Sequence, residues 1–229
     1  MTSSPSTPTR RPARSRRSTR TRPRGQARRT ALLEATLELL AEQGADALTH
    51  RRVAAHAGLP LASTTYWFES KEQLLTEALR YAAERDEARL RAATDALLAR
   101  CDETSTVPSA AEIVAVVLDP CLEPAAPEPD PHGAERGALL ATYTLMLEAA
   151  RRPALQTLSR EWTDAYRATV GELLRRAGSQ RAGDDARLLM AACDGLLIDR
   201  LATGTEDELD PRAELERLTV ALTAAGGAR

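Results

Sequence analysis

Apolar side chains recur along this chain at helical spacing. The clearest stripe is Leu32, Leu33, Thr36, Leu37 and Leu40, at positions i, i+1, i+4, i+5 and i+8, which fall on one face of a helix. The periodicity starts near Gln26, and Gly44 is placed to stop it. A second, shorter helix is expected to start at Thr49, whose hydroxyl can cap the free amides of the following turn, and to run to Ala57. Gly58 permits the positive φ of a tight turn. Pro60 suits the first turn of a third helix over Leu61 to Trp67, because its missing N–H would be unpaired there anyway. Ser70 caps a fourth helix, with Gln73 three residues on in a capping-box arrangement. Leu74, Leu75, Ala78, Leu79, Ala82, Leu90, Leu97 and Leu98 carry that helix towards Cys101, and the stretch from Asp102 to Pro108 breaks it.

Beyond the break, Ala110 to Leu118 reads as a short apolar helix and Pro120 to Pro131 as a Pro-rich mobile loop. Four amphipathic helices separated by Pro and Gly follow: Ala134 to Arg151, Pro153 to Ala177, Asp184 to Thr203 and Pro211 to Ala224. Ala and Leu dominate throughout and strand formers are scarce, so the fold class is all-α. The pattern divides into a small N-terminal domain of three helices over 26–72 and a larger helical domain over 73–229, joined by the long fourth helix.

Composition narrows the setting. The cysteines, at 101, 121 and 193, are far apart and odd in number, which fits a reduced intracellular, cytoplasmic compartment. No window approaches the roughly 18 apolar residues of a membrane span. The Arg-rich start resembles an export signal, but Glu34 and Glu38 break the apolar run that follows, so no export is expected. No Cys, His or acid cluster has metal-ligand spacing, and no cofactor is indicated. A Gly-rich phosphate loop, a nucleophile elbow and a Ser or Cys paired with His are all missing, so neither catalytic residues nor an enzyme are expected.

The net charge of -2 hides an asymmetry. Residues 1–29 hold ten arginines and no acid, whereas the remaining residues hold 21 basic and 33 acidic side chains. Mixed with Ser, Thr and Pro, the first 25 residues cannot bury enough apolar surface to offset the entropy of ordering, and read as a disordered arm whose partner is a polyanion.

Two short helices joined by a Gly-containing turn form a helix-turn-helix, in which the second helix enters the DNA major groove. Val53, Ala54 and Ala57 give the first of them a compact inner face, and Thr64, Trp67 or Phe68 must fasten the second to the others. At "LTHRRVAAHAGLPLASTTYWFESKEQLL" the chain resembles the TetR family of transcriptional regulators. The likeness rests on the Ala-Gly turn, the aromatic cluster ending in Phe68, and Ser70-Lys71 with an acid opening the next helix. Thr64 departs from it, standing at a core position usually filled by Leu, Val or Ile.

The resemblance implies a DNA surface made of Thr49, His50 and Arg51 at the start of the second helix, and Leu61, Ala62 and Ser63 at the start of the recognition helix. Thr65, Tyr66 and Lys71 complete it. Arg51 is the best candidate for a guanine, while the short recognition-helix side chains offer apolar contact to thymine methyls and one hydroxyl. Residues 45–75 carry three basic and three acidic groups, so attraction to phosphates falls to the arm. Trp67, Phe68 and His56 read as structural.

For the C-terminal half the resemblance implies a homodimer and an effector pocket. The helices at Pro153 to Ala177 and Asp184 to Thr203 match the usual dimer pair, with Leu188, Leu189, Ala192 and Leu196 as apolar contacts and Gly195 allowing close approach. Tyr143, Met146, Trp162, Tyr166 and Met190 are the candidate lining for a small apolar or amphipathic effector. The chain therefore reads as a homodimeric repressor binding a palindromic double-stranded operator and released by a small molecule. A ligand-independent architectural DNA-binding protein is the alternative.

Overall fold

The computed structural model describes residues 23–122, 131–204 and 210–224. Among these residues the chain forms α1 (Pro23–Gln43), a 3-10 turn (Ala45–Ala47), α2 (His50–His56), α3 (Leu61–Trp67), α4 (Lys71–Thr104), α5 (Ala110–Leu122), α6 (Pro131–Arg151), α7 (Pro153–Arg176), α8 (Ala182–Thr203) and α9 (Pro211–Ala224), with no strand. The expected arm up to residue 22 and the Pro-rich stretch 123–130 lie outside the described residues. Several boundaries differ from expectation: α4 runs on to Thr104, α6 opens at Pro131 rather than Ala134, α8 opens at Ala182 rather than Asp184, and two more differ at prolines. The first helix opens at Pro23 rather than near Gln26, since proline is well suited to a first turn. α5 passes through Pro120 to Leu122, where a proline near the helix end forfeits one hydrogen bond without ending it.

Local signals set the N-terminal helices. Gly44, with φ 72°, separates α1 from the 3-10 turn, and Gly58, with φ 63°, turns the chain between α2 and α3. The Thr49 hydroxyl accepts from the Arg52 amide at 3.2 Å, and the Ser70 hydroxyl accepts from the Gln73 amide at 3.1 Å. Gln73 answers with its side-chain oxygen, which accepts from the Glu69 amide one residue before the cap. Pro60 caps α3 from an extended conformation (φ -60°, ψ 144°) rather than sitting inside its first turn. Replacing Ser70 with alanine is expected to cost about 0.5–2 kcal/mol, read as a lower urea midpoint; an unchanged midpoint would show that Gln73 alone holds the cap.

All five stripe positions of α1 are buried, from Leu32 at 0% exposure to Leu37 at 8%. Ala35 and Leu39 are buried as well, and α1 packs against α6 in addition to α2, α3 and α4. That α6 contact is the broadest α1 makes. The apolar core is consequently continuous, running from Leu32 and Phe68 through Leu79, Leu90 and Leu97 of α4 to Leu189 and Leu215. Each fully buried leucine contributes on the order of 1.5–3 kcal/mol relative to exposure.

Polar links follow the same seams. Between α1 and α4, Arg29 pairs with Glu77 and the Tyr81 hydroxyl donates to Glu34 at 3.0 Å. Burial first, then the neighbouring Glu34 carboxylate, pushes the Tyr81 phenol up from its ordinary value, which keeps it a donor. At the far end of α4, Arg176 of α7 reaches Asp102 at 2.8 Å. α4 ends on Ser105 in the left-handed region (φ 54°), where the Thr106 amide closes the helix onto the Cys101 carbonyl at 2.9 Å. Ser179 donates to Asp185 at 2.5 Å, a buried pair that fastens the α7–α8 turn.

Candidate nucleic-acid interface

The head is built on the α2–α3 crossing. Val53 and Ala54 bury the inner face of α2 at 0% and 2% exposure, and the Leu59 amide bonds back to the Ala54 carbonyl at 2.9 Å, closing the turn. Thr64 is fully buried on α3. Its hydroxyl donates to the His50 carbonyl at 3.4 Å, so a polar residue fits a position where an aliphatic one is usual: the buried oxygen has a partner in α2. Phe68, 1% exposed, is among the largest fully buried side chains of the molecule. Trp67 is half-buried against the same core.

The opposite face of this scaffold is open. Thr49, Arg51, Leu61, Ala62, Thr65 and Tyr66 are exposed, and His50, Ser63 and Lys71 are half-buried. None of the nine residues expected to meet DNA is buried. Leu61 stands 49% exposed and Tyr66 77% exposed, with the Tyr66 ring edge-on to Trp67 at 5.1 Å between centroids. That contact steadies an otherwise free side chain. The Thr65 hydroxyl turns back towards the Leu61 and Ala62 carbonyls at 3.5 and 3.4 Å.

Charge on this face is divided. Arg52 donates to the Ala47 carbonyl at 3.2 Å, and His56 meets Glu38 at 2.7 Å, which gives both a structural task. Arg51 and Lys71 form no ion pair among the described residues. They remain available for an external anion. Spacing alone could not separate Arg51 from Arg52, because the Ala47 carbonyl that engages Arg52 belongs to a 3-10 turn with no sequence signature.

The candidate effector and dimer residues scatter more widely. Trp162 and Tyr166 lie in the core at 6% and 9% exposure, and the Trp162 indole nitrogen is buried with no hydrogen-bond partner. The Tyr143 hydroxyl donates to Asp194 at 3.3 Å, and burial raises the Asp194 carboxyl above its ordinary value despite that bond. Met190 is half-buried. Met146 alone of the five lines an open groove of about 350 Å³ between α6 and α7, with Ala149, Ser159, Arg160, Thr163 and Arg167 among its neighbours there.

In α8, Leu188 is 52% exposed, Gly195 is exposed, and Ala192 and Leu196 are half-buried against the protomer's own core. Leu189 is 0% exposed and Cys193 5%. Leu189, expected among the dimer contacts, therefore lies in the interior of the chain's own core. Cys101 and Cys193 are both buried. Among the described residues no group of metal ligands occurs, and no helix is long and apolar enough to cross a membrane.

A seven-residue helix fastened across a second by a glycine turn, with its outer row free, defines a helix-turn-helix regulator. Residues 32–78 match the model of bacterial regulatory proteins of the tetR family, and residues 130–225 match that of the tetracyclin repressor-like C-terminal domain. The chain belongs to the TetR family of transcriptional regulators. A solved member of that family from Streptomyces coelicolor A3 is 29% identical, with the match covering 86% of this chain and 98% of the other at a TM-score of 0.63. The multidrug binding protein EbrR complexed with malachite green is 30% identical, covering 86% of this chain and 96% of its own at 0.57. Its ethidium complex matches at 28% identity and 0.60, over 86% and 98%. No curated protein matches the chain.

Proposed function

We propose that this chain is a cytoplasmic homodimeric repressor whose residues 26–72 read a palindromic duplex and whose residues 73–229 self-associate and respond to a small apolar or amphipathic effector. The observation that supports the DNA reading is that all nine candidate residues of the head are unburied while Thr64 and Phe68 are buried, with Arg51 and Lys71 in no ion pair among the described residues. Lys71 and Thr49 suit phosphates; Arg51 suits a guanine edge; Leu61, Ala62 and Ser63 suit thymine methyls and a neighbouring acceptor. The Arg-rich arm adds sequence-independent affinity through the adjacent phosphates.

For the dimer, the outer faces of the helices favour α8 with α9 over the pair α7 with α8. The outer row of α7 is polar and charged, with Gln156, Arg160, Glu161, Asp164 and Arg167 exposed. The outer row of α8 is Leu188, Ala191, Gly195, Ile198 and Ala202, and α9, which packs beside it, exposes Val220 and Ala221. Leu188, Ile198 and Val220 are each about half exposed, at 52%, 47% and 55%. An apolar row flanking a glycine is suited to burial against a two-fold copy of itself. The groove beside Met146 supports effector entry between α6 and α7.

The test is selection of bound duplexes from random DNA. The expected product is an inverted repeat with half-sites separated by one or more helical turns, and Arg51→Ala should weaken its binding by about 1–3 kcal/mol while relaxing preference at one base pair. Uniform recovery of all sequences would instead mark an architectural DNA-binding protein.

A further inference from the structure

The α6–α7 groove has a chemical character that its apolar floor alone does not convey. On α7 it is bordered by Ser159, Arg160, Thr163 and Arg167, at relative positions 0, 1, 4 and 8, so they share one face of the helix. On α6 the floor is Met146 and Ala149, one turn apart. Arg160 makes no ion pair among the described residues. Arg167 touches Asp164 at 3.5 Å, an exposed pair of the kind that contributes little and is readily exchanged. The Thr163 hydroxyl donates to the Ser159 carbonyl at 2.9 Å and the Gln156 amide to the Ala150 carbonyl at 3.4 Å, so beside the Ser159 hydroxyl the two guanidinium groups are the charged donors of the rim. Two guanidinium groups above an apolar floor complement a molecule with a carboxylate-like head and a short hydrocarbon or aryl tail.

The helix that forms the floor also carries a second connection. α6 is the element against which α1 packs most broadly, and α1 holds the head through its contacts with α2 and α3. At its other end α6 is tied to α8 by Arg200 to Glu135 at 3.3 Å. A ligand that bridges Met146 and Ala149 to the arginines of α7 draws on the position of α6 relative to α7. It therefore acts on the surface that α1 rests against.

We propose that the α6–α7 groove binds a small anionic amphiphile through Arg160 and Arg167, and that occupancy reaches the DNA-binding head through the α6–α1 contact. The second half rests on the repressor reading above. The groove's volume, about 350 Å³, accommodates a chain of eight carbons with its carboxylate. Such a ligand shifts DNA affinity only by as much as it prefers one arrangement of α6 over another.

Octanoate is the probe, with octylammonium as its charge-reversed control. Calorimetry on the full chain without DNA is expected to give a Kd for octanoate below about 1 mM, with octylammonium weaker. Arg160→Gln together with Arg167→Gln should weaken octanoate about tenfold or more with an unchanged melting temperature, since both side chains are exposed. Absence of octanoate binding, equal binding by the double variant, or stronger binding of octylammonium overturns the site. The DNA arm uses a duplex recovered by selection: octanoate should lower its affinity for the wild-type chain and not for the double variant. Arginine-dependent octanoate binding that leaves DNA affinity untouched overturns the α6–α1 route. A chain that binds no duplex at all overturns the repressor reading and the route together, while calorimetry still decides the groove.

Discussion

Phe68→Ala is expected to cost about 3–5 kcal/mol, enough to remove a large share of the roughly 5–15 kcal/mol that holds a typical domain together. Phe68 is the sole phenylalanine of the chain, is 1% exposed, and is the bulkiest fully buried side chain near α3. That helix has seven residues, too few to be stable by itself, and Thr64 is its only other buried position. Removing the ring leaves a cavity in the apolar core to which Phe68 belongs. Thermal denaturation should show a lower melting temperature, and DNA binding should be lost with it. Tyr66→Ala provides the contrast: its side chain is 77% exposed, so melting should hold while DNA affinity falls. Equal melting of the Phe68 and Tyr66 variants would show that the ring does not anchor α3.

The second large effect is expected at the proposed two-fold surface. A side chain added at Gly195 meets nothing within 4 Å inside the protomer, and Leu188 is already half in solvent. Gly195→Arg combined with Leu188→Glu should leave the protomer's helical content and melting near those of the parent at low concentration. Between copies, the same changes place unpaired charges where Ala191 and Ile198 are expected to meet an apolar face, which costs far more than the contacts removed. Sedimentation should report a monomer. Affinity for a full palindrome should fall by about 10²- to 10⁴-fold, because the second half-site is no longer delivered by the first. Affinity for an isolated half-site should be unchanged. A dimer that survives both changes would place the interface elsewhere.

What was legible in the sequence was mostly local. Thr49 and Ser70 act as caps because a hydroxyl meets an amide three residues away, and Gly58 turns because no Cβ opposes a positive φ. The α1 stripe was readable for the same reason: its period needs no partner to be seen. The burial of Ala35 and Leu39 was not readable, since they lie off that stripe and α1 also packs against α6, which follows much later in the chain. The outer face of α8 turned on a similar point. Apolar content was visible along α8, but which positions the protomer itself consumes was decided by packing, and it consumes Leu189 while leaving Leu188 outside. The groove between α6 and α7 was not legible either, since Arg160 and Arg167, which border it, are on the sequence only two of the chain's thirty arginines. The inner face of the head was the easiest to read, because a helix-turn-helix constrains it within 25 residues of chain, and Val53, Ala54, Thr64 and Phe68 are all buried.

The unbroken core between α1 and α6 bears on how heads of this kind can be exchanged between regulators. A chimera cut at residue 72 would keep the head but set its α1 against a foreign α6. Any transplant of this head must therefore carry its α6-facing residues as matched cargo, and drift in one of the two helices constrains what the other can become.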